Sequence, residues 1–258
     1  MQRLTKIKQM TNKLLNVVAL AITVQLLNAC NSGIRKENRG IISSKVANQN
    51  RHVMTKAEQD SLTPAQVLQE FMAGNQRFKN GNITQRDHSE EIRKAATGGQ
   101  FPKAMVLSCV DSRVPVEDVF DQGIGDIFVG RVAGNFVNTD LLGSMEFACK
   151  VSGAKIILVM GHQHCGAVKG AIDDVHLGYI TSMLANIKPA VAMSQHFDGE
   201  KTSKNEAFVK LVALNNVKNT MAQIRAKSEI LRTMESKGDL KIVGAFYTLR
   251  TGELQLLD

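Results

Sequence analysis

The chain has 258 residues, 43% of them apolar, enough for a sizeable core in one large domain or two small ones. It has no Trp and only two Tyr, a poor endowment for stacking nucleic-acid bases or sugar rings. The formal charge of +8 includes Arg3, Lys6, Lys8 and Lys13; without them the balance is 28 basic to 24 acidic residues, an ordinary surface that argues against a nucleic-acid partner.

Residues 1–29 read as an export signal. Lys6, Lys8 and Lys13 form a basic start, and Leu14 to Leu27 is largely apolar but shorter than the ~20 residues of a membrane span. Ala29-Cys30 resembles a bacterial lipobox, which implies lipidation of Cys30 and a periplasmic protein anchored to the bacterial envelope. Residues 30–60, rich in Asn, Ser, Lys and Arg and without apolar period, read as a flexible tether. Residues 61–258 are then the folded domain.

That domain opens with Thr63-Pro64 and Gln66, a capping box before a helix whose apolar face is Val67, Leu68, Phe71 and Met72. A second helix starts at Ser89. Strands are expected near Lys103–Val110, Asp126–Val132, Lys155–Gly161, Leu240–Tyr247 and Glu253–Leu257. Helices are expected over Thr139–Val151, Gly166–Val175, Ile180–Met193 and Asn205–Glu235, the last capped by Ser203 and Glu206. Short apolar strands spaced by helices predict an α/β fold with a mostly parallel sheet flanked by helices, preceded by an N-terminal helical arm.

Two clusters at strand ends carry the chemistry: Cys109-Val110-Asp111-Ser112-Arg113 and His162-Gln163-His164-Cys165. Adjacent strand ends are where open α/β sheets place their sites. Two thiolates, an imidazole and a carboxylate suit one tetrahedral zinc ion. An odd cysteine count after Cys30 makes a poor disulfide framework, and zinc would occupy two of the remaining three. Cys149, at helical spacing among apolar residues, reads as a small buried side chain. Arg113 offers Asp111 a charge-assisted partner, so Asp111 can leave the metal and open a position for water, whose pKa zinc can lower to about 7.

Cys109-Val110-Asp111-Ser112-Arg113 and His162-x-x-Cys165-Gly166 resemble the two signature motifs of the β-class carbonic anhydrases. The likeness extends through Phe120-Asp121-Gln122-Gly123, Arg131-Val132-Ala133-Gly134-Asn135 and Gly143-Ser144-Met145-Glu146-Phe147. It implies reversible hydration of carbon dioxide to bicarbonate and a proton, with Zn(2+) held by Cys109, His162 and Cys165. Asp111 would be the exchangeable fourth metal ligand or the partner of Arg113. Gln122 and the Gly166 amide would donate to substrate, and a homodimer or homotetramer is implied. Two alternatives stand beside it: a carbon disulfide or carbonyl sulfide hydrolase on the same ligands, and a non-catalytic zinc-binding envelope lipoprotein.

Overall fold

The structure is a computed structural model that describes residues 49–50 and 52–257. The expected export signal, Cys30 and most of the expected tether lie outside the described residues. The last part of the expected tether does not: α1 (Lys56–Ser61) is a helix with a capping box between Thr55 and Glu58. Its anchor is polar. The buried Gln59 amide donates to Pro102 O at 2.8 Å and Ser152 O at 2.7 Å, a hold that no apolar period announces. The folded part therefore begins before residue 61.

Next come α2 (Pro64–Lys79), with the expected Thr63–Gln66 capping box, and α3 (Glu90–Ala95), capped by Ser89. The strands and helices then alternate: β1 (Ala104–Ser108), α4 (Val116–Val119), β2 (Ile127–Arg131), α5 (Thr139–Glu146) and β3 (Ile156–His162). After β3 follow α6 (Gly166–Ile172), α7 (Gly178–Ala185), α8 (Lys188–Met193), α9 (Glu206–Lys227) and α10 (Glu229–Ser236). The chain closes with β4 (Lys241–Thr248) and β5 (Glu253–Leu257).

Several helix ends differ from the sequence expectation. A π-helical turn over Phe147–Val151 succeeds α5. The expected helix over 180–193 is two, broken ahead of Pro189, which has no N–H to continue the ladder. The long helix also divides, at Ser228, whose extended backbone (φ −108°, ψ 107°) ends α9 and whose hydroxyl caps α10. Asn205 caps α9, while the Ser203 hydroxyl donates to Asp173 instead.

The sheet order is β2-β1-β3-β4-β5, parallel except for β5. Alternation along each strand sorts side chains between two cores. Ala104, Val106, Ile156, Leu158 and Met160 face Val67 and Phe71 of α2. Met105, Leu107, Ile157 and Val159 face Met145 of α5, Val217 and Ile224 of α9, and Leu231 of α10. A third cluster, with Phe136, Ile187, Phe208 and Phe246, surrounds Cys109 and Cys165. β1 leads outward to β2 on one side, and the chain returns to β3 on its other side. The gap between the carboxyl ends of β1 and β3 is thus the topological switch point, where such folds bind their ligands.

Candidate metal centre

β1 ends at Ser108, so Cys109 stands at its carboxyl tip; β3 ends at His162, and Cys165 caps the first turn of α6. The turn between them bends at His164, in left-handed conformation (φ 57°). Cys109, His162 and Cys165 are all buried, and their donor atoms lie within 4.8 Å of one another. The sulfurs are 3.9 Å apart, close to the ~3.8 Å separating two thiolates on a tetrahedral zinc at 2.3 Å each.

The imidazole is prepared for a cation. His162 Nδ1 lies 2.9 Å from Gln163 O, an acceptor only, so Nδ1 carries the proton and Nε2 the lone pair. Nε2 is buried without a hydrogen-bond partner, an orphan that a metal would satisfy. The two thiols are within hydrogen-bond reach of each other. Cys109 is pushed down because Cys165 donates to it, helped by the Gly134 N–H, and Cys165 is pushed up in turn. A divalent cation in place of the donated proton lets both ionise. The residues present fit zinc.

Asp111 stands at the rim beside the three donors, its carboxylate engaged by Arg113. Arg113 takes both its oxygens, Nε to Oδ1 at 2.9 Å and a terminal nitrogen to Oδ2 at 2.8 Å, and its backbone N–H adds a bond of 3.0 Å to Oδ1. These bonds hold the Asp111 carboxyl down at about 2. Oδ2 remains 3.9 Å from His162 Nε2, near enough to face whatever His162 binds. A cavity of about 380 Å³ opens on His162 and is lined by His164, Glu206, Lys210 and Phe246.

Gln122 and Gly166 fall differently. Gln122 is buried, and its side-chain N–H groups donate to Phe120 O and Asp121 O of its own loop. No hydrogen bond joins it to the Cys–His–Cys group among the described residues. Gly166 is the first residue of α6, beside Cys165, with open space where a Cβ would stand. Cys149 is buried in apolar surroundings that push its thiol up to about 12.

Arg131, at the end of β2, stands in a stretch that carries the family likeness but had no role assigned from sequence. Its guanidinium donates to Cys109 O at 2.9 Å, Asp111 O at 2.7 Å and Val114 O at 3.0 Å, clamping the loop that carries two site residues. Its sequence signal was membership of the family-like stretch Arg131–Asn135, and the register pairs it with Ser108, one residue before Cys109.

A parallel α/β sheet with a Cys–His–Cys group at its switch point and an ion-paired carboxylate at the rim defines a metal-dependent enzyme of the hydration or hydrolysis type. The family profile described as "Carbonic anhydrase" matches residues 104–254. Carbonic anhydrase 2 of Mycobacterium tuberculosis is 35% identical over 200 residues, 76% of this chain and 93% of that protein. The carbonic anhydrase of Mycolicibacterium smegmatis is 32% identical over 198 residues, 75% of this chain and 93% of the relative. For the fold alone, the β-carbonic anhydrase CcaA superposes with a TM-score of 0.60 at 24% identity, covering 74% of this chain and 87% of that one. The chain belongs to the β-class carbonic anhydrase family, and zinc is the metal that its donor set suits.

Proposed function

We propose that the chain catalyses the reversible hydration of carbon dioxide to bicarbonate and a proton. The carrying observation is the buried Cys109–His162–Cys165 group with the Asp111–Arg113 pair at its rim. Cys109, His162 and Cys165 would hold zinc, which supplies the Lewis acidity that makes water nucleophilic near neutral pH. Arg113 keeps Asp111 ionised and clear of the donors. The Asp111 carboxylate accepts a hydrogen bond from the attacking water and orients its oxygen toward the substrate carbon. As the new C–O bond forms, one C=O electron pair moves onto oxygen, where the Gly166 N–H donates to the growing charge. The water's proton leaves to buffer. Gln122 joins this scheme only by exchanging its carbonyl partners for a substrate oxygen.

Stopped-flow hydration on the zinc-loaded chain tests the proposal, run beside a carbon disulfide assay. Chelation should abolish turnover, and zinc should restore it. Arg113→Ala should keep its zinc and lose turnover about 10- to 100-fold. A zinc-loaded parent that hydrates no carbon dioxide would overturn the proposal. An Arg113→Ala variant with full turnover would remove Arg113 from it.

Assembly and export belong to the same proposal. β2 is an outer strand of the sheet, and Phe147, 47% exposed, packs its ring 6.1 Å from Phe128 on that strand. This apolar edge supports a homodimer or homotetramer; the compared structures include tetrameric β-carbonic anhydrases of Sordaria macrospora, at TM-score 0.57 and 22% identity. The basic and apolar segments of residues 1–29, with Ala29-Cys30 after them, support export to the bacterial periplasm and a lipid anchor on Cys30.

A further inference from the structure

A four-residue turn, Val132–Asn135, lies between β2 and α5 and presses against the Cys109 sulfur. It closes through the Asn135 N–H donating to Val132 O at 3.0 Å. Gly134 holds its third position with φ +87°, a conformation that a type II turn reserves for glycine. Space is tight there too, since a Cβ on Gly134 would stand 2.4 Å from Ile187 Cδ1 and 3.3 Å from Ala167 Cβ. The Gly134 N–H donates to Cys109 Sγ at 3.3 Å.

The far side of the turn is held from α9. Asn216 is fully buried, and its side-chain N–H donates to Gly134 O at 2.6 Å. One helical turn on, the Thr220 hydroxyl donates to Asn135 O at 3.3 Å. Asn216 Oδ1 has no partner, an acceptor left unpaired in the core. A buried amide with half its polar capacity unused is costly, so its donor half must matter locally. Gly134 is thereby fixed on both flanking peptides, one by Cys109 and one by Asn216.

We propose that Asn216 is a positioning residue for the metal centre: it grips the Gly134 carbonyl and so aims the Gly134 N–H at the Cys109 sulfur. The inference rests on reading Cys109, His162 and Cys165 as metal ligands. A thiolate that accepts a backbone hydrogen bond is both oriented and made a weaker electron donor. Outer partners of this kind set ligand geometry and metal affinity.

The test loads the full chain with cobalt(II), whose thiolate charge-transfer absorption reports sulfur donor strength, and measures zinc affinity by chelator competition. Asn216→Leu keeps the branched shape and removes the donor; Asn216→Ser is a second, smaller variant whose side chain falls short of Gly134 O. Both should weaken zinc about 10- to 100-fold and move the cobalt band to longer wavelength. Thr220→Val, which cuts the neighbouring bond from the same helix, should leave the band unmoved and the affinity within about threefold. A folded Asn216→Leu with the parent's affinity and band would overturn the inference. So would a Thr220→Val that reproduces both changes, because the role would then be packing alone. A parent chain that takes up no cobalt would instead overturn the metal-site reading beneath it.

Discussion

Asp111 has two neighbours competing for its carboxylate, the donor group and Arg113, and in this structure Arg113 holds both oxygens. The bond lowers the carboxyl to about 2, below the ordinary value of about 3.9. Lowering favours the charged form in the folded state, so the pair's contribution to stability is complete above the unfolded value. It fades as pH falls from about 4 toward 2. In metal-free protein, the stability difference between parent and Arg113→Ala in urea titrations should be level from pH 5 to 8 and shrink below 4. A difference that stays constant down to pH 2 would contradict the pairing. By the same sign, Asp111 stays ionised through the neutral range, so an acid limb of activity above pH 5 belongs to another group. At this scale the chain spoke clearly through residue types: Cys109, His162 and Cys165 are donors whose spacing at strand ends is visible without a structure. Arg131 and Asn216 are not visible that way. Arg131 stands in the family-like stretch and Asn216 in an expected helix, but residue type gives neither a role; only the fold brings one to three carbonyls and buries the other.

Elements were legible where side-chain period sets them and obscure where single residues end them. Each strand of the main sheet lies where alternating or continuous apolar runs put it, because burial on both faces demands such runs. Helix ends are decided by local exceptions such as the extended backbone of Ser228, Pro189 and the Asn205 cap, and period is blind to these. Helix α2 shows how tightly elements meet. Gly74 lies where a Cβ would stand 2.0 Å from Phe120 O and 2.7 Å from its carbonyl carbon, both backbone atoms that no rotamer change can move. The same contact seats Phe71 against Phe120, with ring centroids 4.5 Å apart. Gly74→Ala should therefore force α2 off the α4 end and cost about 3 kcal/mol. For a domain of this size that is a fall of about 6 to 12 °C in Tm, measurable by calorimetry. An unchanged Tm would mean the two elements can separate without loss.

At the scale of the whole molecule, the chain divides its tasks: a folded unit that holds the metal, and a leading segment proposed to hold that unit at a membrane. Among the described residues no helix is long and apolar enough to cross a bilayer, and the proposed attachment point is Cys30. Twenty-one residues lie between Cys30 and His52, which fully extended span at most about 70 Å. The two tasks should then separate cleanly. In a bacterial host fed labelled palmitate, the parent should carry label and sediment with membranes, whereas Cys30→Ser should lose the label and move to the soluble fraction. Zinc content and turnover per molecule should be the same in both, because every proposed site residue lies between Cys109 and Gly166. Label retained by Cys30→Ser would remove Cys30 as the lipid attachment point, and turnover lost with the label would mean that the membrane itself takes part in catalysis.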